Sequence, residues 1–138
     1  MGLSSIGEKM LNDPLANVLS IINNYEQIGK RELIAHPWSS IIADVLSILK
    51  TENYIGEFEQ ITDQKGGIYK IQLLGNVNKC GVIKPRFSVK LSDFEKFEKR
   101  YLPAKGMGML ILSTSQGLMT QDKARELKIG GRLIAFCY

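Results

Sequence analysis

The sequence predicts an α/β or α+β protein in two small lobes. The first, residues 1–75, runs helix–strand–helix–strand–strand; the second, residues 76–138, is mostly β with short helices. Three observations predict this. Apolar positions recur at helical spacing twice in the first half and then alternate at the period of a strand. A wholly apolar run, Met109-Leu110-Ile111-Leu112, reads as a strand buried on both faces. Between these regions lies one polar segment, Gly75-Asn76-Val77-Asn78-Lys79, the candidate interdomain linker.

In chain order, Leu11, Leu15, Val18, Leu19 and Ile22 form the apolar stripe of an amphipathic helical stretch from about residue 4 to about residue 24. Pro14 interrupts it. The helix begins near Asp13, with Pro14 at its first position and a short turn before it, or an earlier turn ends there; the first is preferred. Lys30 to Ala35 is a short strand, broken by His36-Pro37. Ser39 or Ser40 caps a second helix carrying Ile41, Ile42, Val45, Leu46 and Leu49 and ending near Asn53. Ile55 to Ile61 and Ile68 to Leu74 are two strands joined by residues 62–67; Tyr69, Ile71 and Leu73 alternate with Lys70 and Gln72. An extended basic segment then runs to Lys90. A helix from about Ser92 to Tyr101 presents Phe94, Phe97 and Tyr101 on one side. After the Met109–Leu112 strand come a helix-like turn from Thr120 to Lys128 and a last strand from Leu133 to Tyr138.

The 138 residues are 44% hydrophobic, enough for a core without disulfide staples. Net charge is +4, unevenly spread: residues 1–50 hold four basic and five acidic side chains, residues 51–138 fourteen and nine. Between Lys79 and Lys90 stand Lys79, Lys84, Arg86 and Lys90 with no acid, interleaved with Pro85 and Phe87. Such a segment is either a grip on a nucleic-acid backbone or a solvated strand face. Cys80 and Cys137 lack CxxC spacing and His36 is the sole histidine, so no metal site or cofactor is expected. Residues 1–10 hold Glu8 and Lys9, and no apolar run reaches the roughly 18 residues of a membrane helix. The expectation is a soluble intracellular protein with reduced thiols and no membrane partner.

Function concentrates in Ser113-Thr114-Ser115-Gln116-Gly117-Leu118-Met119-Thr120. Three consecutive hydroxyls at the end of a buried strand, then a glycine and the helix start Thr120-Gln121-Asp122, place donors and acceptors where a ligand can reach them. The competing structural reading is a turn rich in serine and threonine. Catalysis has little support. Ser113 and Ser115 have only His36 as a base, position 113 breaks the Gly-x-Ser-x-Gly elbow, and no GxxxxGK[ST] loop is present.

The octet, with Ile129-Gly130-Gly131 about ten residues on, resembles the closing signature of the eighth protein of the small ribosomal subunit. Asp13-Pro14-Leu15-Ala16-Asn17 is similar to that family's opening, and Pro37-Trp38-Ser39-Ser40 and Asn53-Tyr54-Ile55 follow in its order. Lys79 to Phe87 and the Asp93–Arg100 helix resemble the archaeal and eukaryotic branch. The resemblance implies a cytoplasmic, non-catalytic ribosomal protein that binds a helix in the central domain of small-subunit rRNA during assembly. Neighbouring ribosomal proteins, and in some members the protein's own message, are further partners. It also implies that the lobes pack together and that the second supplies most of the specific contacts. The RNA-binding residues expected on this basis are Ser113, Thr114, Ser115, Gln116 and Gly117; Lys84, Arg86 and Phe87; Gly130, Gly131 and Arg132; and, secondarily, Asp13 and Pro14. For Gly130 and Gly131 a helix C-terminus is the competing reason. Ile21-Ile22-Asn23-Asn24, Ile41 and Arg86 stand where bacterial members often have arginine, lysine and glycine, so the first lobe has fewer phosphate-binding side chains. The alternative function is a free-standing RNA-binding translational regulator, which cosedimentation with small subunits at raised salt distinguishes.

Overall fold

The structure, a computed structural model, describes residues 14–35, 39–63, 66–104 and 106–138. The chain divides into two compact units, one ending at Asn78 and one spanning Lys79–Tyr138.

In the first unit, helix α1 (Pro14–Gln27) opens with a proline where no backbone donor is needed. It buries Leu15, Val18, Leu19 and Ile22, the spacing of one helical face. The Asp13 cap lies outside the described residues, as do His36 and Pro37. Gly29, with φ of 76°, lets the chain turn back at the end of α1. Strand β1 (Glu32–Ala35), helix α2 (Ser40–Thr51) and strands β2 (Ile55–Asp63) and β3 (Gly66–Leu73) follow. Ser39 is the cap of α2, its hydroxyl accepting from the Ile42 N–H at 3.3 Å. The strands form an antiparallel sheet in the order β1-β3-β2. Its inner face, with Leu33, Tyr69 and Ile71 buried, shares a core with the apolar stripes of the two helices.

The polar segment after β3 is tied to its own unit. The Glu26 carboxylate accepts from the N–H groups of Gly75 (3.1 Å) and Val77 (3.2 Å), and the Asn76 amide donates to the Asn53 carbonyl at 2.7 Å. Lys79 and Tyr138 then exchange two backbone hydrogen bonds, opening the second unit.

That unit is a five-stranded antiparallel sheet with two helices. Strand β8 (Gly131–Cys137) is central, with β6 (Met109–Thr114) on one side. On its other side β4 (Cys80–Val82) and β5 (Ser88–Val89) pair with different stretches of it, while β7 (Gly117–Thr120) pairs with the outer edge of β6. A 3-10 turn, Leu91–Asp93, leads into helix α3 (Phe94–Tyr101); helix α4 (Gln121–Leu127) follows β7. Leu110, Leu112, Met119 and Leu133 pack with Ile83, Phe94, Phe97 and Ala124 in one core. Met109 and Ile111, on the opposite face of β6, are buried as well, as the apolar run requires.

Two local readings differ from the structure. Gly117 to Thr120 is a strand, paired with Ile111 to Thr114, and not merely an approach to a helix. Lys84 to Phe87 is a bend between β4 and β5, so period-two alternation does not place Lys84 and Arg86 on one face.

Candidate nucleic-acid interface

β6 carries its buried apolar residues straight into the Ser-Thr-Ser cluster. Burial stops at Leu112, and Ser113 is exposed while still in the ladder. Ser113 pairs with Leu118 on one side and Arg132 on the other, and Arg132 pairs with Ser88. Residues directly opposite in antiparallel strands share a face. Ser88, Arg132, Ser113 and Leu118 therefore form a row across four strands, with the first three exposed and Leu118 half-buried. Three hydroxyl or guanidinium groups on fixed strands make a polar platform that both donates and accepts. Ser88 was missed in the sequence, because only the long-range register joins it to Arg132.

Thr114 has a different task. Its hydroxyl donates to the Gly117 carbonyl at 2.8 Å and accepts from the Gln116 N–H at 3.1 Å. It shapes the turn that holds Ser115 and Gln116 exposed at the tip. Gly117, with φ of 107°, closes that turn in a conformation other residues rarely adopt. A serine-rich turn and an exposed polar tip are thus the same object here, with the roles divided among neighbours.

Beneath the hairpin, β7 ends where α4 begins. The Thr120 hydroxyl caps α4 by accepting from the Lys123 N–H at 3.3 Å. Past the last β6–β7 pair, the N–H of Leu110 would lack a partner; the buried Gln121 side chain accepts it at 2.8 Å. The same amide donates to Glu98 of α3 at 3.1 Å, and Arg125 forms an ion pair with Glu98. Hydrogen bonding to Glu98 raises the proton affinity of the Arg125 guanidinium, against the opposing effect of burial. Arg125 is accordingly engaged within the protein, and the network holds both helices beneath the hairpin.

Gly130 and Gly131 are required by close packing. A Cβ on Gly131 would stand 2.5 Å from the Ser113 carbonyl oxygen, and one on Gly130 2.5 Å from that of Val89. The helix-terminus explanation for these glycines does not hold: the left-handed residue after α4 is Lys128, with φ of 57°. Gly131 lets β8 lie tightly against the strand end that bears the hydroxyls, with Arg132 exposed beside it.

In the basic bend Lys84 and Arg86 are exposed, whereas Phe87 is half-buried. The Phe87 ring packs on Phe97 with centroids 5.5 Å apart, and the Arg100 guanidinium lies over it at 5.7 Å. Phe87, expected among the RNA-binding residues, packs at the margin of the core. Pro14 is at the start of α1, in the other unit, and Asp13 lies outside the described residues. Among the described residues no group of three or more His, Cys, Asp or Glu side chains is placed to hold a metal ion, and no helix is long and apolar enough to cross a membrane.

An exposed row of hydroxyls and a guanidinium on a sheet, continued by an exposed polar turn, fits a structural ribonucleoprotein component. The family model for ribosomal protein S8 matches residues 13–138, and the chain belongs to that family. It is therefore a ribosomal protein with an rRNA-binding role, from a structural family and not an enzyme family.

Proposed function

We propose that the protein binds a helix in the central domain of small-subunit rRNA during assembly in the cytoplasm, and stays in the subunit. The exposed row Ser88–Arg132–Ser113 carries this reading. Its hydroxyls suit base edges and the 2′-OH, and its guanidinium suits phosphate or a base. Ser115, Gln116 and Gly117 extend it at the turn. Thr114 acts mainly by shaping that turn. Lys84 and Arg86 supply phosphate contacts, Gly130 and Gly131 keep the strands close enough for the row to form, and Asp13 and Pro14 support the start of α1. The resemblance of the sequence from Lys79 to Phe87, together with a helix over Phe94–Tyr101, supports the archaeal and eukaryotic branch.

The test is Ser113→Ala with Ser115→Ala, measured by binding to transcribed small-subunit rRNA and by footprinting. Removing two hydrogen bonds of about 0.5–1.5 kcal/mol each predicts a loss of about 1–3 kcal/mol. The wild-type footprint should fall on one central-domain helix. Unchanged affinity in a folded double variant, or protection elsewhere in the rRNA, would remove this assignment.

A further inference from the structure

We propose that helix α3 is a second phosphate-binding element, in which Lys96 and Arg100 grip the RNA backbone and Phe87 is the mount that positions Arg100. The proposal rests on the RNA-binding reading above and adds to it a surface and a role for an aromatic residue.

The distribution of charge on α3 is the first support. Its five charged residues are sorted by the sides of the helix. Glu98 faces α4 and is held by Arg125 and Gln121. Glu95 pairs with Lys99 at 3.8 Å, one turn along. Lys96 and Arg100 are also four residues apart, hence neighbours on the helix surface, and both are exposed. Neither forms an ion pair among the described residues. The acids of α3 are engaged inside the unit, and two cations remain side by side facing outward.

The second support is where Arg100 lies. Its guanidinium is 5.7 Å from the centre of the Phe87 ring and 5.8 Å from that of Tyr101. Stacking on an aromatic face orients a guanidinium while leaving its in-plane N–H donors available to a phosphate. Phe87 follows Arg86 directly and precedes Ser88, the end of the polar row. Arg100 is thus brought to the basic bend at the sheet edge. The row lies on the sheet face opposite α3, so the cations of the α3 ridge flank it across the β5 edge.

The competing reading is that Arg100 and Lys96 only shield the aromatic core with their aliphatic stems. Salt dependence separates the two. Removing one cation from a phosphate should lower the slope of log K against log salt by about 0.7–0.9. For full-length Lys96→Ala with Arg100→Ala, the slope with transcribed small-subunit rRNA should fall by one to two such steps. Affinity for an unrelated RNA duplex should fall by a similar factor, because phosphate binding carries little sequence information. Phe87→Leu, which keeps apolar volume and removes the ring, should lose about one step of slope in its folded fraction. Ser113→Ala with Ser115→Ala should lose affinity for the rRNA at an unchanged slope.

An unchanged slope in the Lys96/Arg100 variant, with wild-type rRNA binding intact, overturns the proposal and leaves the polar row standing. A wild-type slope in folded Phe87→Leu overturns the mounting role. Failure of the wild-type protein to bind rRNA at all overturns both this inference and the reading on which it rests.

Discussion

The two units use similar parts and oppose one another in charge. The unit ending at Asn78 has six basic and nine acidic residues; the unit from Lys79 has twelve and five. They also differ in which charges are neutralised locally. In the first, cations are engaged by exposed carboxylates of the strands: Lys70 with Glu32 at 3.8 Å and Lys50 of α2 with Glu57 at 2.8 Å. In the second, the carboxylates Glu95 and Glu98 are engaged and Lys96 and Arg100 remain. Exposed pairs of this kind add little stability, so their value lies in the field they leave behind. The same contrast holds for the sheets. One outer face places Glu59 opposite Lys70; the other places Ser113 opposite Arg132. A polyanion is repelled by the first pattern and met by the second. Net charge over the whole chain conceals this division.

The largest expected effect compares the cores. Leu112 and Leu46 are both fully buried, one beneath the hydroxyl cluster and one in α2. Truncating either to alanine should cost about 2–5 kcal/mol in chemical denaturation. Only Leu112→Ala should also weaken rRNA binding per folded molecule, since it loosens the strand that carries Ser113. Equal affinity losses from both variants would break the division of labour between the units.

Gly131→Ala comes next. The added methyl meets the Ser113 carbonyl oxygen at 2.5 Å and the Thr114 methyl at 2.9 Å, and neither neighbour is the end of a long flexible side chain. Overpacking of this sort costs about 1–3 kcal/mol. Thermal unfolding measures that loss. RNA affinity in the folded fraction should fall too, because the strand pair bearing Ser113 and Arg132 must separate. A stable variant with intact affinity would show that this close strand approach has no part in the polar row.

What the sequence revealed, and what it concealed, follows from the range of the interactions involved. Helix α2 was legible to within one residue of its cap, because the Ser39-Ser40 pair and the apolar spacing of Ile42, Val45, Leu46 and Leu49 are local signals, while the choice of Ser39 came from the structure. The buried run of β6 was legible for the same reason. Strand β7 was not: four residues beginning with glycine are too short for alternation to declare itself, and its partner makes it a strand. The reason for Gly130 and Gly131 was hidden because the atoms that exclude a side chain there belong to residues 89 and 113. Ser88 entered the candidate site, and Phe87 moved toward the core, through pairing with Arg132 and packing on Phe97 that no spacing rule reveals.

The smallest expected effect probes the first unit, where the chemistry is structural. Tyr69 is buried, and its phenol donates to the Ser39 carbonyl at 2.9 Å while accepting from the Ser39 N–H at 3.3 Å. It thereby joins the sheet to the first turn of α2. The Ser39 carbonyl also accepts from Ala43 at 3.0 Å, so Tyr69→Phe leaves that acceptor paired. A cost of about 0.5–1.5 kcal/mol at neutral pH is expected, with rRNA affinity unchanged. Alkaline pH isolates the phenol. Burial holds its pKa above the ordinary 10.0; the hydrogen bond with Ser39 opposes that shift and the nearby Asp44 charge adds to it. Below pH 10 the phenol is protonated whether the chain is folded or not, and it contributes no pH dependence. As pH rises through 10 the unfolded chain releases this proton while the folded chain retains it, so the unfolded state gains and stability falls. Tyr69→Phe lacks this effect. The stability gap between the two proteins should therefore narrow above pH 10, as denaturation midpoints at pH 7, 9 and about 10.5 would show. A gap that stays constant across that series would mean the phenol titrates alike in both states, and that the first unit does not bury it as tightly as the second buries its core.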